Sequence, residues 1–486
     1  MPNLFKKLGI MIMSFIRHKV IKNKTYAYEV TTYWDKELKR PKTTSKYLGP
    51  VDPTTHEVIK FTKKERGQEK LILDFGDTYF IYKFIIESAL YQSLKTNFFD
   101  KFNEIIPLII YRICSQSAMY NCEEWLSGNI LGILYKNVNL SSQRISDLLA
   151  NIGDESVQRA FFTTYLKLIG GSNQSVIIDA TSLPNQINID FNAWGRADGT
   201  IEKQFRFLCV VNQQSKVPLF YRFLPGNITD VSTLQKTIIE LKAMGVENSH
   251  VLIDAGYFSE SNIRDLYEKK IDFLTRMPAG RKLYKEIILN HTSGIEVLNN
   301  AKLIGTRSYF ATSLEVNLYG YKAYVFILLD PERKAKETKG LVQRYCNDPS
   351  ERDEKADQLA FLSCGIIILV SSKSIPIDEV LSSYYLRQSI EQIFGFSKSD
   401  LGLLPIRNHN NETVRGYLFF QFILLIFYIK IREQFLESYT VEQLLLVLRK
   451  LKCKVYDTQV IPAELTKKQR IIFEQSKILM PNFLGI

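Results

Sequence analysis

The chain is poor in the residues that build soft-metal or disulfide sites. Its six cysteines (Cys114, Cys122, Cys209, Cys346, Cys364 and Cys453) are scattered without one C-x-x-C pair. That spacing suits free thiols in a reducing cytoplasm rather than a zinc site or a disulfide framework. The five histidines are equally dispersed, and no H-E-x-x-H or similar ligand cluster occurs. Any metal is therefore expected on carboxylate oxygens, the chemistry of magnesium or manganese. Long hydrophobic runs are missing too. The most apolar stretch, Gly416 to Ile431, contains Gln421 and Lys430 and is shorter than the roughly 20 residues that cross a bilayer. A buried core helix is the expectation there, with no membrane partner. The apolar patch from Leu8 to Ile16 lacks a signal-peptide cleavage site. No internal repeat or low-complexity tract is found.

What is present is an ordinary globular composition with an excess of positive charge. Hydrophobic residues make up 45% and charged residues 23% of 486, and the formal net charge is +12. A polyanion is the large partner such a surface favours, because neutralised phosphates release condensed counterions. Two to four domains fit the length.

Four segments follow along the chain. Residues 1–70 hold a basic β unit. Tyr26 to Trp34 and Thr43 to Leu48 read as two strands joined by the charged turn Asp35 to Lys42. Residues 17–70 carry fourteen Lys and Arg against seven Asp and Glu, so this unit is a candidate DNA contact, although an ordinary solvated hairpin reads the same way. Residues 71–170 are helical, and the run from Ser142 ended by Gly153 fits a helix-turn-helix or a plain bundle. This region is a candidate for end binding or dimer contacts.

From 171 to 431 the pattern is α/β, interrupted at about 280–360 by a β-rich insertion with a charged, solvated tail from Asp330 to Asp357. Strands are predicted at Ser175 to Ala180, Phe205 to Asn212, Val217 to Leu224, His250 to Asp254 and Ile271 to Thr275. Asp230 is the expected N-cap of a helix from Val231 to Met244. A strand at Gly365 to Ser371 and one long helix from Pro376 to Leu401 follow. Residues 432–486 are predicted to be helical, with a Thr466-x-x-Gln469 capping box.

Chemistry concentrates at three places. Val176-Ile177-Ile178-Asp179 and Val251-Leu252-Ile253-Asp254 each put an aspartate at the end of an apolar strand. Three consecutive apolar residues imply burial on both faces of a covered sheet. An acid there is unfavourable unless paired or bound to a cation. In the helix after 376, Tyr384, Arg387, Glu391 and Lys398 stand at offsets that fall within a sector of about 60° of the helix surface. A carboxylate flanked by two cations and a phenol suits a metal-bound phosphodiester; a solvated face with i, i+4 ion pairs shows the same residue types.

The spacing Tyr384-x-x-Arg387-x-x-x-Glu391-x-x-x-x-x-x-Lys398 resembles the Y-(2)-R-(3)-E-(6)-K signature of bacterial insertion-sequence DDE transposases of the "insertion sequence 4" type. Ile178-Asp179-Ala180-Thr181 looks like that group's first acidic motif, and Asp254-Ala255-Gly256-Tyr257-Phe258 like its second. Pro225-Gly226-Asn227 followed by Asp230 resembles its strand-to-helix connection. The segment Trp194-Gly195-Arg196-Ala197-Asp198-Gly199 departs from the glycine-and-charge-rich stretch of relatives.

The resemblance implies a ribonuclease H-like catalytic core whose β-rich insertion precedes the helix with the glutamate. It implies Asp179, Asp254 and Glu391 as catalytic, metal-holding residues, and Tyr384, Arg387 and Lys398 as contacts to DNA phosphates. Two Mg²⁺ ions, with Mn²⁺ substituting, would serve cleavage at the element's ends and strand transfer into target DNA. The expected partners are double-stranded DNA, as terminal inverted repeats and target, and a second copy of the chain in a synaptic homodimer. The expected location is the bacterial cytoplasm. The rival readings are a structure-specific ribonuclease H-like nuclease and a catalytically retired, transposase-derived DNA-binding protein. A glycosidase fits poorly, because the flanking cations favour phosphate over sugar.

Overall fold

The computed structural model describes residues 13–21, 24–35, 40–51, 58, 69–169, 174–197, 200–304, 306–347 and 353–485. They form two compact units. The smaller draws on the chain up to Phe75, on Leu451–Leu465 and on the stretch from Met480. It contains the antiparallel sheet β1 (Met13–Ile21), β2 (Lys24–Asp35) and β3 (Arg40–Pro50), in that order. The expected hairpin is thus joined by a further strand on the N-terminal side. The exposed side chains of β3 leave this sheet little core of its own. A second antiparallel sheet of this unit runs in the order β17 (Leu484–Gly485), β16 (Gln459–Pro462), β15 (Lys452–Val455) and β4 (Leu71–Asp74). These C-terminal strands escaped the sequence reading, which expected helices alone. They are short, and their partner β4 lies nearly 400 residues earlier, so no local signal announces them.

The larger unit spans Gly76–Lys450 and Thr466–Leu479. Its centre is a ten-stranded mixed sheet made of β5 (Gln174–Pro184), β6 (Ala193–Ala197), β7 (Thr200–Asn212), β8 (Pro218–Pro225), β9 (Asn248–Ile253), β10 (Asp272–Arg276), β11 (Ala301–Ile304), β12 (Arg307–Leu318), β13 (Tyr321–Leu329) and β14 (Ile366–Ser371). The order is β11-β12-β13-β14-β10-β9-β5-β7-β6, with β8 also paired to β7. β9 lies parallel to both β5 and β10, and the other pairings are antiparallel. Val176, Ile177, Ile178, Val251, Leu252 and Ile253 are fully buried, as apolar runs in the middle of a covered sheet must be.

The β-rich insertion is partly a continuation of this sheet. β13 pairs with β14 across six residues, so β11 to β13 extend the same layer. The charged stretch expected as a solvated tail holds the helix Pro331–Asn347 and the start of the helix Glu354–Ser363, neither of which buries a residue fully. Good helix formers and Arg333–Glu337 pairing at i, i+4 sustain the first of them.

Among the described residues one helix, Asn411–Phe435, is long and apolar enough to cross a membrane, and 83% of its most apolar window is buried inside the protein. It is a core helix, as its polar interruptions foretold. Helix Ser142–Ile152 packs on it with backbone against backbone: a Cβ at Gly416 would lie 1.7 Å from the Leu149 carbonyl oxygen. Any larger residue there forces the two helices apart.

Candidate active site

The two aspartates are brought together by the parallel pairing of β5 and β9, which stops at Ile178 beside Ile253. Asp179, expected at a strand end, instead lies inside β5, which runs on to Pro184 against β7. Asp179 is one residue beyond Ile178, and Asp254 directly follows β9 and opens a short 3₁₀ turn, Ala255–Tyr257. The third carboxylate arrives from the helical segment after β14. This segment is two helices, Ile377–Tyr385 and Gln388–Lys398, and not the single long one expected. The break falls at Leu386 and Arg387, whose N–H groups bond back to Ser382 and Tyr384. Gly395 lies inside the second helix and does not interrupt it.

The break leaves the four signature residues on one side. Arg387 donates from Nη1 to Asp179 Oδ2 at 2.9 Å and from Nη2 to Glu391 Oε1 at 2.7 Å. Its Nε stands 3.9 Å from Asp254 Oδ1, an ion pair without a hydrogen bond. Tyr384 donates its hydroxyl to Asp254 Oδ1 at 3.3 Å, and Lys398 Nζ donates to Thr181 Oγ1 at 2.9 Å. One guanidinium therefore touches three carboxylates from three elements.

The site is graded from floor to rim. The side chain of Asp179 is 13% exposed, that of Asp254 39% and that of Glu391 54%. Burial pushes the Asp179 carboxyl up to about 7, and the Arg387 guanidinium and the Ala180 N–H only partly offset it. Asp254 and Asp230 push the same way. Arg387 feels the opposite balance: burial opposes its charge, and the surrounding carboxylates raise its pKa above the ordinary value. Burial, then the charge of Asp254, raises the Tyr384 hydroxyl to about 12.

Two residues of this neighbourhood escaped the sequence reading. Asp230 was expected to cap a helix at Val231. The helix instead begins at Leu234 behind Thr233, and Asp230 sits in a 3₁₀ turn. Its side chain is freed to pair with Arg206 at 2.6 Å, and Gly256 leaves it room, since a Cβ there would stand 3.0 Å from Asp230 Oδ2. Beside them the buried Tyr257 hydroxyl has no hydrogen-bond partner among the described residues. Burial, then Asp230 and Asp179, holds it well above the ordinary tyrosine range. The signal for the pair was Arg206 itself, a cation inside the aromatic strand run Phe205-Arg206-Phe207.

Against known families, the one described as the transposase DDE domain matches residues 171–427, more than half of the chain. The chain belongs to that family. Its function is DNA transposition, and the residues of the site all lie within the matched span. No curated protein matches the chain. A cryo-EM structure of the piggyBac transposase synaptic complex with hairpin DNA is similar at a TM-score of 0.40 and 11% identity, over 80% of this chain and 81% of that one.

Transposases of this family generally use divalent metal ions, and the donor chemistry of this site can be tested against that. Asp179, Asp254 and Glu391 offer oxygen alone, the preference of a hard divalent cation. The raised Asp179 carboxyl reflects burial first, which the one guanidinium beside it only partly offsets, so a further cation there would favour its charged form. Among the described residues no three acidic, histidine or cysteine side chains close around a single point; Arg387 lies between the carboxylates instead. In donor type and charge the residues fit such an ion.

Proposed function

We propose that this DNA transposase is a metal-dependent nuclease and strand-transfer enzyme of the insertion sequence 4 type. In this reading its ribonuclease H-like core cuts at the element's ends and joins them to target DNA. The observation that carries the reading is the convergence of Asp179, Asp254 and Glu391 on the Arg387 guanidinium. Three carboxylates around one cation, one within a buried strand, one just past its neighbour and one on a helix, serve packing poorly and phosphate chemistry well.

Asp179, Asp254 and Glu391 would hold Mg²⁺ or Mn²⁺, two ions in all. Bound there, divalent ions activate a water or 3′-hydroxyl nucleophile and stabilise the leaving oxygen of the phosphodiester. The side chains around them bind and orient. Arg387, Tyr384 and Lys398 each donate to a protein oxygen in the DNA-free chain and would turn these donors to phosphate oxygens, with the planar Arg387 suited to two at once. The buried floor at Asp179 keeps bulk water from the reacting phosphate and strengthens these contacts. Double-stranded DNA, as terminal inverted repeats and target, is the substrate, and a homodimer holding two ends in the bacterial cytoplasm is the working form. The β unit of 1–70 and the helical region of 71–170 are the proposed end-binding and dimer surfaces.

The test is cleavage of a labelled duplex carrying the inverted repeat that flanks the coding sequence, with Mg²⁺ or Mn²⁺. Wild type should cut at the repeat boundary, while Glu391→Ala binds the duplex and leaves it intact. Equal binding with no cutting by either protein, whichever metal is supplied, would sink the catalytic reading in favour of a retired DNA-binding protein.

A further inference from the structure

The sheet face that carries Asp179 continues well beyond it. Across the β5–β7 ladder Asp179 stands opposite Cys209, Thr181 opposite Phe207 and Leu183 opposite Phe205, with no break in register. Directly paired residues share a face and alternate residues keep it. That face therefore runs along β7 from Cys209 through Phe207 and Phe205 to Lys203 and Ile201. Helix Gln388–Lys398, which bears Glu391, packs on this same face: Phe394 meets Phe207, and Lys398 reaches Thr181. In the β6–β7 hairpin Trp194 pairs with Lys203 and Arg196 with Ile201. Trp194, Arg196, Lys203 and Ile201 thus form the outer end of the catalytic face.

This end is built to stay exposed. Trp194 is 63% and Ile201 73% exposed. Neither Arg196 nor Lys203 has a carboxylate partner among the described residues. The reverse side of the hairpin is clamped. A Cβ on Gly195 would lie 2.1 Å from the Gly226 carbonyl oxygen, and one on Gly226 would lie 2.4 Å from that of Ala193. Two glycines let backbones meet there, so the hairpin cannot roll to bury its tryptophan. An exposed apolar pair beside two cations that have no carboxylate partner among the described residues marks a surface for a polyanion whose sugars offer apolar contact between phosphates, as duplex DNA does.

We propose that the Trp194, Arg196, Lys203 and Ile201 patch grips duplex DNA on the same side of the sheet as the reacting phosphate. This rests on the reading that DNA lies at the three carboxylates. Six residues separate Cys209 from Lys203, or about 20 Å of strand, which corresponds to about six base pairs of duplex. Arg196 and Lys203 take phosphates on either side of a groove, and Trp194 and Ile201 press on its sugars.

The experiment is fluorescence anisotropy with a labelled duplex about three helical turns long, titrated over a range of salt. In R196E/K203E the affinity should fall by at least about tenfold, and the slope of log affinity against log salt should become shallower by about 2. Trp194→Ala should weaken binding with the salt slope unchanged, and Trp194→Phe should recover most of it. The photo-crosslinking change Trp194→p-benzoylphenylalanine should attach to the duplex. Wild type that binds with a steep salt slope, matched by every variant, overturns the patch and leaves the catalytic reading standing. So does a crosslink to a second copy of the chain. Failure of wild type to bind duplex at all removes the patch and the DNA reading together.

Discussion

Strand β9 has a buried ionisable group near each end, and burial acts on the two in opposite senses. At its start His250 is 7% exposed, and its pKa is lowered to about 4 by burial and the nearby Lys373, with Asp272 opposing. Past its end, beside Asp254, the neighbouring strand carries Asp179, raised by burial to about 7. In each case the protein interior resists charge. The imidazole satisfies that resistance by staying neutral, and its end of the sheet is quiet structure. The aspartate does so by holding its proton to higher pH, with Asp254 and Asp230 pushing the same way as burial and Arg387 opposing them. One end of the sheet has settled its electrostatics internally. The other keeps a carboxyl whose charge burial disfavours, beside an arginine that favours it.

Four experiments sharpen or break that contrast. The largest effect belongs to Glu391→Ala, which should lower cleavage by at least about a thousandfold. Its unfolding midpoint should stay near that of wild type, because the side chain is half exposed. Joint loss of stability would mean that the rim is structural.

Next comes Asp179→Asn in metal-free protein. A carboxyl whose folded pKa is raised stabilises the fold at low pH and loses that contribution as pH climbs from about 4 to about 7. Denaturant unfolding at pH 8 should therefore find the variant more stable than wild type by up to about 4 kcal/mol, and saturating Mg²⁺ should shrink the gap. A less stable variant at pH 8 would refute the raised carboxyl.

The opposite arm belongs to His250. A folded pKa below the unfolded one leaves stability intact above about 6.5 and erodes it as pH falls towards 4. The loss amounts to at most about 3 kcal/mol, and His250→Asn should flatten it. A wild-type profile that is level over this range would show that His250 finds a counter-charge in solution.

The smallest effect concerns Arg387→Gln. Without the internal guanidinium, Mg²⁺ should raise the melting temperature more than it does in wild type, by the equivalent of about 1–2 kcal/mol. Equal increments in the two proteins would show that arginine and metal do not compete for the carboxylates.

Much of this was legible beforehand in particular residues. Val176-Ile177-Ile178 and Val251-Leu252-Ile253 announced buried strands, because an uninterrupted apolar run has no solvent face. Tyr384, Arg387 and Glu391 were legible as one face because helical spacing is a local rule. The break at Leu386 and Arg387 was not, since both residues are good helix formers. The Asp230–Arg206 pair was hidden because its members lie 24 residues apart, and a single aspartate before an apolar periodic run reads as a cap. The β-rich segment from 280 was recognised, yet its joining to β14 was not, because strand alternation does not name a strand's partner.

By itself, then, the sequence determined the buried strands around Asp179 and Asp254, the buried helix after Asn410, the expectation of oxygen donors for any metal, and which residues match the family's motifs. These follow from side-chain type and short-range periodicity. The tertiary structure alone decided that β5 and β9 lie side by side and that Arg387 is the cation set among the acids. It also decided that Trp194 and Asp179 share a sheet face. Those facts depend on the register of strands far apart in the chain, which burial of the whole sheet selects and no local pattern encodes.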